Sequence, residues 1–327
     1  MHLFVDTIGV SLSLRDGVLI IEKDDKVMQE VSFMHLSSIH LTVHCRVSTG
    51  VIIECSHRQI PIFVEDNIHI SSMVWSPAYS SISLIRIKQG LLSLSRVKYV
   101  VIRRLLISKN MKRLELFKGI MSGYHYRRLN EEIGRINEGI KEGFDDNKLR
   151  SLEAHASKMF FDVYFYLFPE VFRPKRREHR NAMDIVNMVL NYAFGILYKH
   201  VMKSCVYAGV DPYLPLFHQA QYNKPTLVFD LIEPYRPYAE RWVYDFFSGD
   251  EERIVSLIKE ESMEELSQIP GSLKRAFLEY FYDRFSNEVI NRNGKMRSME
   301  SHIQIELQQF ATYLKNLDIE ELKKELI

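Results

Sequence analysis

The chain has 327 residues, 46% of them hydrophobic and 26% charged, with a net charge of +1; this is the composition of a globular protein with a real core, long enough for two domains or one large one. Its three cysteines, Cys45, Cys55 and Cys205, form no CxxC pair, which excludes a zinc ribbon or a disulfide framework and points to a reducing cytoplasm. The opening MHLFVDTIGV has no basic region followed by an apolar one, and no run of about 18 apolar residues follows, so neither a signal peptide nor a membrane span is expected.

Residues 1–75 read as β-rich. Val10 to Leu14 alternates, Asp16-Gly17 supplies a hairpin turn, and Val18 to Ile21 returns as a second strand. Ser38 to Val43, Ile60 to Val64 and Ile68 to Val74 are the further strands, while Ser48-Thr49-Gly50 caps a short helix through Cys55. Ser76 to Ser81, polar around Pro77, reads as a linker within 76–86. The pattern then turns helical. A stripe begins at Ile87, Leu91, Leu94 and Lys98 and continues through Leu116; Leu152 to Phe168 is a strong helix with Glu153 in its first turn. Ala182 to Ala208 is the longest helix, stopped by Gly209, and Asp211-Pro212 turns the chain toward His218. Thr226 caps a helix carrying Asp230 and Glu233, which Pro234 and Pro237 bend or interrupt. The expected fold is α+β, a small N-terminal β-rich domain followed by a larger all-α domain over 87–327. Strand edges and an apolar face in so small a β domain predict a homodimer.

The even net charge hides an uneven distribution. Arg96 to Arg113 holds Arg96, Lys98, Arg103, Arg104, Lys109, Lys112 and Arg113 with no acid, and Arg173 to Arg180 holds Arg173, Lys175, Arg176, Arg177 and Arg180 against Glu178 alone. Such clusters, poor in aromatics, suit neutralisation of DNA phosphates rather than base reading; a single charge run is otherwise a solvated helix face.

Chemistry concentrates in three places. Asp230 and Glu233 lie three apart, one face of a helix, amid Leu227, Val228, Phe229, Leu231 and Ile232. Two carboxylates in apolar company repel each other and resist desolvation unless a cation joins them. A histidine and a third carboxylate would complete a hard-metal site of the kind that activates phosphodiesters. Taken alone, Glu153 is more often a glutamate helping a helix dipole and His218 more often a structural histidine, while Asp230 with Glu233 is as readily a solvated helix edge as a paired acid site. His155, two residues from Glu153, points away from it. Arg236 stands as an ion-pair partner for Glu233 or as a clamp on a DNA phosphate. Tyr164, Tyr166, Tyr192 and Phe194 are core by default.

In order, these segments resemble the CRISPR-associated protein one family. The residues that carry the resemblance are Glu153 in SLEAHASKMFFDVYF, the basic stretch followed by Asp184-Ile185-Val186-Asn187-Met188-Val189-Leu190-Asn191-Tyr192, the Ala208-Gly209-Val210-Asp211-Pro212 turn with His218, and Asp230, Glu233 and Arg236. Pro215, Gln219 and Ala154 depart from the family's usual residues. The resemblance implies a metal-dependent DNA endonuclease and integrase of the spacer-acquisition module, with Glu153, His218 and Glu233 on one Mg²⁺ or Mn²⁺ and Asp230 beside them. A set of oxygens and one imidazole suits those ions better than zinc or copper. It further implies dimers formed through the β-rich domain. Two such dimers would hold a central dimer of the small CRISPR-associated protein two, and the complex would insert short donor DNA into a repeat array by 3′-hydroxyl attack on a phosphodiester. Two other readings stand beside it: a metal-dependent nuclease of branched DNA in repair, and a catalytically silent DNA-binding assembly subunit.

Overall fold

The computed structural model describes residues 1–65, 70–74, 83–179, 181–259, 268–287, 290–292 and 295–326. The linker expected at Ser76 to Ser81 and the start of the strand expected from Ile68 lie outside these, as does Arg180. The chain divides into two compact units, Met1–Leu84 and Ile85–Ile327.

The first unit is built on two four-stranded sheets. One pairs β1 (His2–Val5), β5 (Ser38–Leu41), β7 (Ile62–Glu65) and β8 (Ile70–Val74) in that order; the other has the order β4 (Lys26–Ser32), β3 (Val18–Lys23), β2 (Ser11–Arg15), β6 (Arg46–Val47). The predicted β2–β3 hairpin forms with Arg15 opposite Val18, and its two turn residues, Asp16 and Gly17, sit at φ 52° and 77°. Such a two-residue loop needs the left-handed region at both positions, which glycine and aspartate tolerate. Asp24 and Asp25 repeat the device between β3 and β4, at φ 51° and 60°. Strand β4 was not visible as a strand because its residues are exposed except Val31, so no apolar alternation marks it. Ser48 caps α1 (Thr49–His57) by accepting from the Val51 amide, as expected. Val51 and Cys55 of this helix join Leu3, Leu12, Leu19, Ile39 and Ile62 in one core.

The second unit is helical: α2 (Ser83–Leu94), α3 (Lys98–Phe117), α4 (Gly123–Lys141), α5 (Asp146–Tyr164), α6 (Ile185–Ala208), α7 (Thr226–Leu231), α8 (Arg236–Gly249), α9 (Glu251–Lys259), α10 (Gly271–Asn287), α11 (Met299–Asn316) and α12 (Ile319–Lys324). A two-stranded hairpin, β9 (Ile290–Arg292) and β10 (Lys295–Arg297), departs from the all-α expectation. The single helical stripe expected from Ile87 to Leu116 is two helices. Helix α5 starts at Asp146 behind an Asp145 cap, so Glu153 lies two turns in and not in the first turn; its carboxylate is therefore not serving the helix dipole, which acts within the first turn. Gly209 ends α6 at φ 76°, the left-handed conformation its position requires. Pro225, not Thr226, holds the N-cap position of α7, and the buried Thr226 hydroxyl instead donates to the Tyr213 carbonyl at 3.3 Å. The helix stops at Leu231, and Pro237 sits in the first turn of α8, so Asp230 ends one helix and Glu233 occupies the bend before the next. Tyr164 and Phe194 are buried, but Tyr166 is 72% exposed and not core. Among the described residues no helix is long and apolar enough to cross a membrane, and the three cysteines are free thiols.

Candidate active site

Helix α3 is basic by composition, and its charges divide between the surface, as at exposed Arg104, and the interior. Lys109 and Arg113, one turn apart, turn inward and are 2% and 4% exposed. Burying a cation is tolerable only against an anion, and each has one. The Lys109 Nζ lies 2.5 Å from Glu153 Oε1 and 2.6 Å from Glu233 Oε2. This is the cation that the apolar setting of the carboxylates demands. Burial works against ionisation of Glu153, but the Lys109 ammonium outweighs it and holds the carboxyl at about 2. Glu233 is likewise kept below its usual range against the effect of burial, by Arg236 first and then Lys109.

Asp230 does different work from its neighbour. Its Oδ2 accepts from the Leu216 and Phe217 amides at 2.8 and 3.0 Å, and its Oδ1 from the His218 amide at 3.0 Å. The same Oδ1 lies 2.5 Å from His218 Nδ1. The carboxylate so folds the 216–218 loop onto the end of α7 and orients the imidazole, whose side chain remains 40% exposed. The expected shared face of Asp230 and Glu233 thus splits: one acid positions His218, the other meets Lys109 and Arg236. Arg236 pairs with Glu233 Oε1 at 3.0 Å, donates to the Tyr198 hydroxyl at 2.7 Å, and stacks 4.9 Å from the Phe194 ring. Of its two expected roles, the structure shows the ion pair with Glu233.

Behind Glu153 stands a chain of support. Ser157, one turn along α5, donates to Glu153 Oε1 at 2.9 Å and accepts from Arg113 Nη1 at 3.1 Å. Arg113 grips Glu240 of α8 with two bonds, Nε to Oε2 at 2.9 Å and Nη2 to Oε1 at 2.6 Å, and Tyr164 donates to the Glu240 carbonyl at 2.7 Å. Glu240 is fully buried. Removing one partner of a buried, two-pronged pair strands the other charge. Glu240→Ala is therefore expected to lower unfolding free energy by about 3–5 kcal/mol in urea melts; a loss below about 1 kcal/mol, the scale of an exposed pair, would contradict this role.

The proposed DNA-contacting residues divide. Arg176 projects, its side chain 81% exposed, and Lys175 is also exposed. Arg173 is exposed and donates to the Phe168 carbonyl. Arg177 turns inward and bonds Asn187 Oδ1 at 2.9 Å and Asn191 Oδ1 at 2.6 Å. Burial and the nearby Arg236 charge lower Arg177 to about 10. The asparagines of the Asp184 to Tyr192 motif are hence the brace of this loop: Asn187 also bonds the Arg176 carbonyl and the Asp184 cap. Lys109, Ser157, Arg113 and Glu240 had no signature in the sequence. Nor had His179, whose imidazole is lowered by burial and by Arg177 and Arg236, against the opposing pull of Glu153.

Among the described residues no three His, Cys, Asp or Glu side chains gather tightly enough to hold a metal. The donors present nevertheless fit a hard divalent ion. Glu153 and Glu233 converge on one cation position, and Glu233 Oε2 is a buried oxygen that meets Lys109 as an ion pair without a hydrogen bond. His218, held by a carboxylate at Nδ1, has the arrangement in which imidazole presents its other nitrogen to a metal.

A family model for CRISPR associated protein Cas1 matches residues 3–253. A CRISPR-associated endonuclease Cas1 from Francisella tularensis subsp. novicida is 26% identical over 93% of this chain and 92% of its own length. Another from Thermodesulfovibrio yellowstonii is 25% identical over 65% of this chain and 69% of its own. Among solved structures, a Cas1 protein from Thermotoga maritima covers 98% of both chains at 14% identity with a TM-score of 0.74. A casposase bound to integration product covers 100% of this chain and 94% of its own at 16% identity, TM-score 0.76. A Cas6-RT-Cas1–Cas2 complex covers 97% of this chain at 19% identity with a TM-score of 0.73, and the match spans 35% of that larger chain. These structural likenesses concern the fold, whereas the family model spans most of the sequence and takes in Glu153, His218, Asp230 and Glu233: the chain belongs to the CRISPR associated protein Cas1 family.

Proposed function

We propose that this Cas1-family endonuclease joins short DNA to a repeat array by attack of the donor 3′-hydroxyl on a phosphodiester, with Mg²⁺ or Mn²⁺ held by Glu153, His218 and Glu233. The observation that carries this reading is the meeting of Glu153 and Glu233, 80 positions apart, at one cation position, with the His218 imidazole held separately by Asp230. A divalent ion there would stabilise the charge that builds on the scissile phosphate. The chain's own groups do the rest. Asp230 holds His218 in one orientation. Ser157 and Arg113 fix the Glu153 carboxylate. Arg236, tied to Glu233 and Tyr198, adds positive charge behind the site without leaving it. No side chain is required as a nucleophile, so no covalent protein–DNA intermediate forms. Mixing a labelled donor with a repeat-bearing target and divalent metal should give a joined product that disappears when the donor 3′-hydroxyl is blocked. A denaturation-resistant protein–DNA adduct would overturn the scheme.

The proposed partners are donor and repeat DNA, a second copy of this chain, and the small CRISPR-associated protein two. The Arg173, Lys175 and Arg176 loop is the proposed phosphate-contacting surface, Arg177 being its internal brace. Reversing the charge of Arg176 is expected to weaken binding and to lower the salt slope by about one contact; an unchanged slope would make the loop merely solvated. For the homodimer, β4 is an edge strand whose Val27 and Met28 are 47% and 57% exposed, and Met34 beyond it is 82% exposed. An unpaired edge with apolar side chains favours pairing with another chain. Val27→Glu with Met28→Lys should turn a sedimenting dimer into a monomer; an undisturbed dimer would move the interface off this strand.

A further inference from the structure

The Glu153–Glu233 cluster is electrically closed before any metal arrives. Two carboxylates face two cations, Lys109 and Arg236, and the Lys109 side chain is 2% exposed between its two partners. A divalent ion bound to the same oxygens would bring two further positive charges to a neutral cluster and would meet the ammonium at repulsive distance in a poorly screened interior. Both cations cannot keep those oxygens. One must yield, and the two differ in freedom. Arg236 is stacked on Phe194 and bonded to the Tyr198 hydroxyl, so its plane is set. Lys109 carries its charge on a flexible four-carbon stem, and among the described residues its ion pairs are with Glu153 and Glu233 alone.

We propose that Lys109 is the resident counter-ion of the metal site: its ammonium holds Glu153 and Glu233 together in the metal-free protein and is displaced when the divalent ion binds. This rests on the reading that these two carboxylates are metal ligands. Displacement explains how two acids can be kept side by side and ionised without a metal, since alone they would repel. It also couples metal to DNA. An ammonium pushed off its carboxylates inside the protein needs another anion, and a DNA phosphate brought to the site supplies one. Metal and DNA phosphate then raise each other's affinity, and by linkage the effect is equal in both directions. Without DNA, the ammonium competes for the ligand oxygens and keeps the nuclease unloaded.

The test is Mn²⁺ binding, read from the loss of the free-ion paramagnetic resonance signal, and the thermal transition with and without Mn²⁺. Lys109→Met should bind Mn²⁺ about tenfold or more tightly than the parent protein, because no ammonium competes for the carboxylate oxygens. Its melting temperature should be lower without Mn²⁺ and should rise further on adding it. A short duplex should strengthen Mn²⁺ binding to the parent by a similar factor and to Lys109→Met by much less. If Lys109→Met does not fold, Lys109→Gln, which keeps hydrogen-bond donors without the charge, is measured in its place. Loss of Mn²⁺ binding in Glu153→Gln, together with no tightening in either Lys109 variant, would overturn the counter-ion role and leave the metal site standing. Unchanged Mn²⁺ binding in Glu153→Gln would overturn the metal reading and the counter-ion with it.

Discussion

Replacing Glu153 by glutamine is expected to reduce both DNA cleavage and strand transfer by about a thousandfold or more, while costing only about 1–2 kcal/mol of stability. The amide oxygen can still accept from Lys109 and Ser157, so the bonds at 2.5 and 2.9 Å are weakened rather than removed. What disappears is the negative charge, and charge is what a hard metal ion requires of a ligand. Glutamine is a better probe here than alanine, and position 153 a better one than 233. Alanine at Glu233 would leave Lys109 short of one partner and the buried Arg236 without its ion pair, adding about 3–5 kcal/mol of instability that would be mistaken for lost chemistry. His218→Ala, at a ring 40% exposed, should lose activity with little change in melting. Near-normal activity of Glu153→Gln or His218→Ala in Mg²⁺ would remove that residue from the ligand set.

The parts of this site that were legible in the sequence are those whose chemistry repeats in order along the chain. Glu153, the Asp184 to Tyr192 motif, His218 and the Asp230–Glu233 pair are each a short local pattern. Their apolar setting also required a cation nearby. Which cation could not be read, because Lys109 looks like any of the seven basic residues between Arg96 and Arg113. Only the packing of α3 against α5 and the α7–α8 bend separates it from exposed Arg104. Arg113 and Glu240 lie 127 positions apart and match no local pattern. Arg177 failed in the opposite sense: in sequence it belongs to a basic cluster, yet the asparagines that pin it are 10 and 14 positions on, inside the next helix. The same limit applies to the fold. Strand β2 alternates and β3 is an apolar run after a turn, so both were visible; β4, exposed along most of its length, was not. Helix boundaries moved where a cap lay upstream of the apolar stripe, as Asp145 does for α5.

Asp230→Ala should disrupt stability and activity together, because one carboxylate there serves both the fold and the chemistry. It is 2% exposed and accepts three backbone amides and one imidazole nitrogen. Bonds to a charged acceptor are about twice as strong as neutral ones, and each buried donor left without a partner costs about 1–3 kcal/mol. These costs are not additive once the 216–218 loop is free to move, so a total loss of about 3–5 kcal/mol in denaturant unfolding is the expected result. Asp230→Asn should lose less, since its single amide oxygen keeps part of the set while its NH₂ faces donors. In that folded variant the loss of orientation at His218 should still lower activity by about 10–100-fold, the usual effect of disturbing the partner of a metal-binding histidine. The decisive comparison is a cycle. If Asp230 acts through His218, adding Asp230→Asn to His218→Ala should reduce activity little further. Fully additive losses would mean that Asp230 reaches the reaction by a route other than the imidazole it holds.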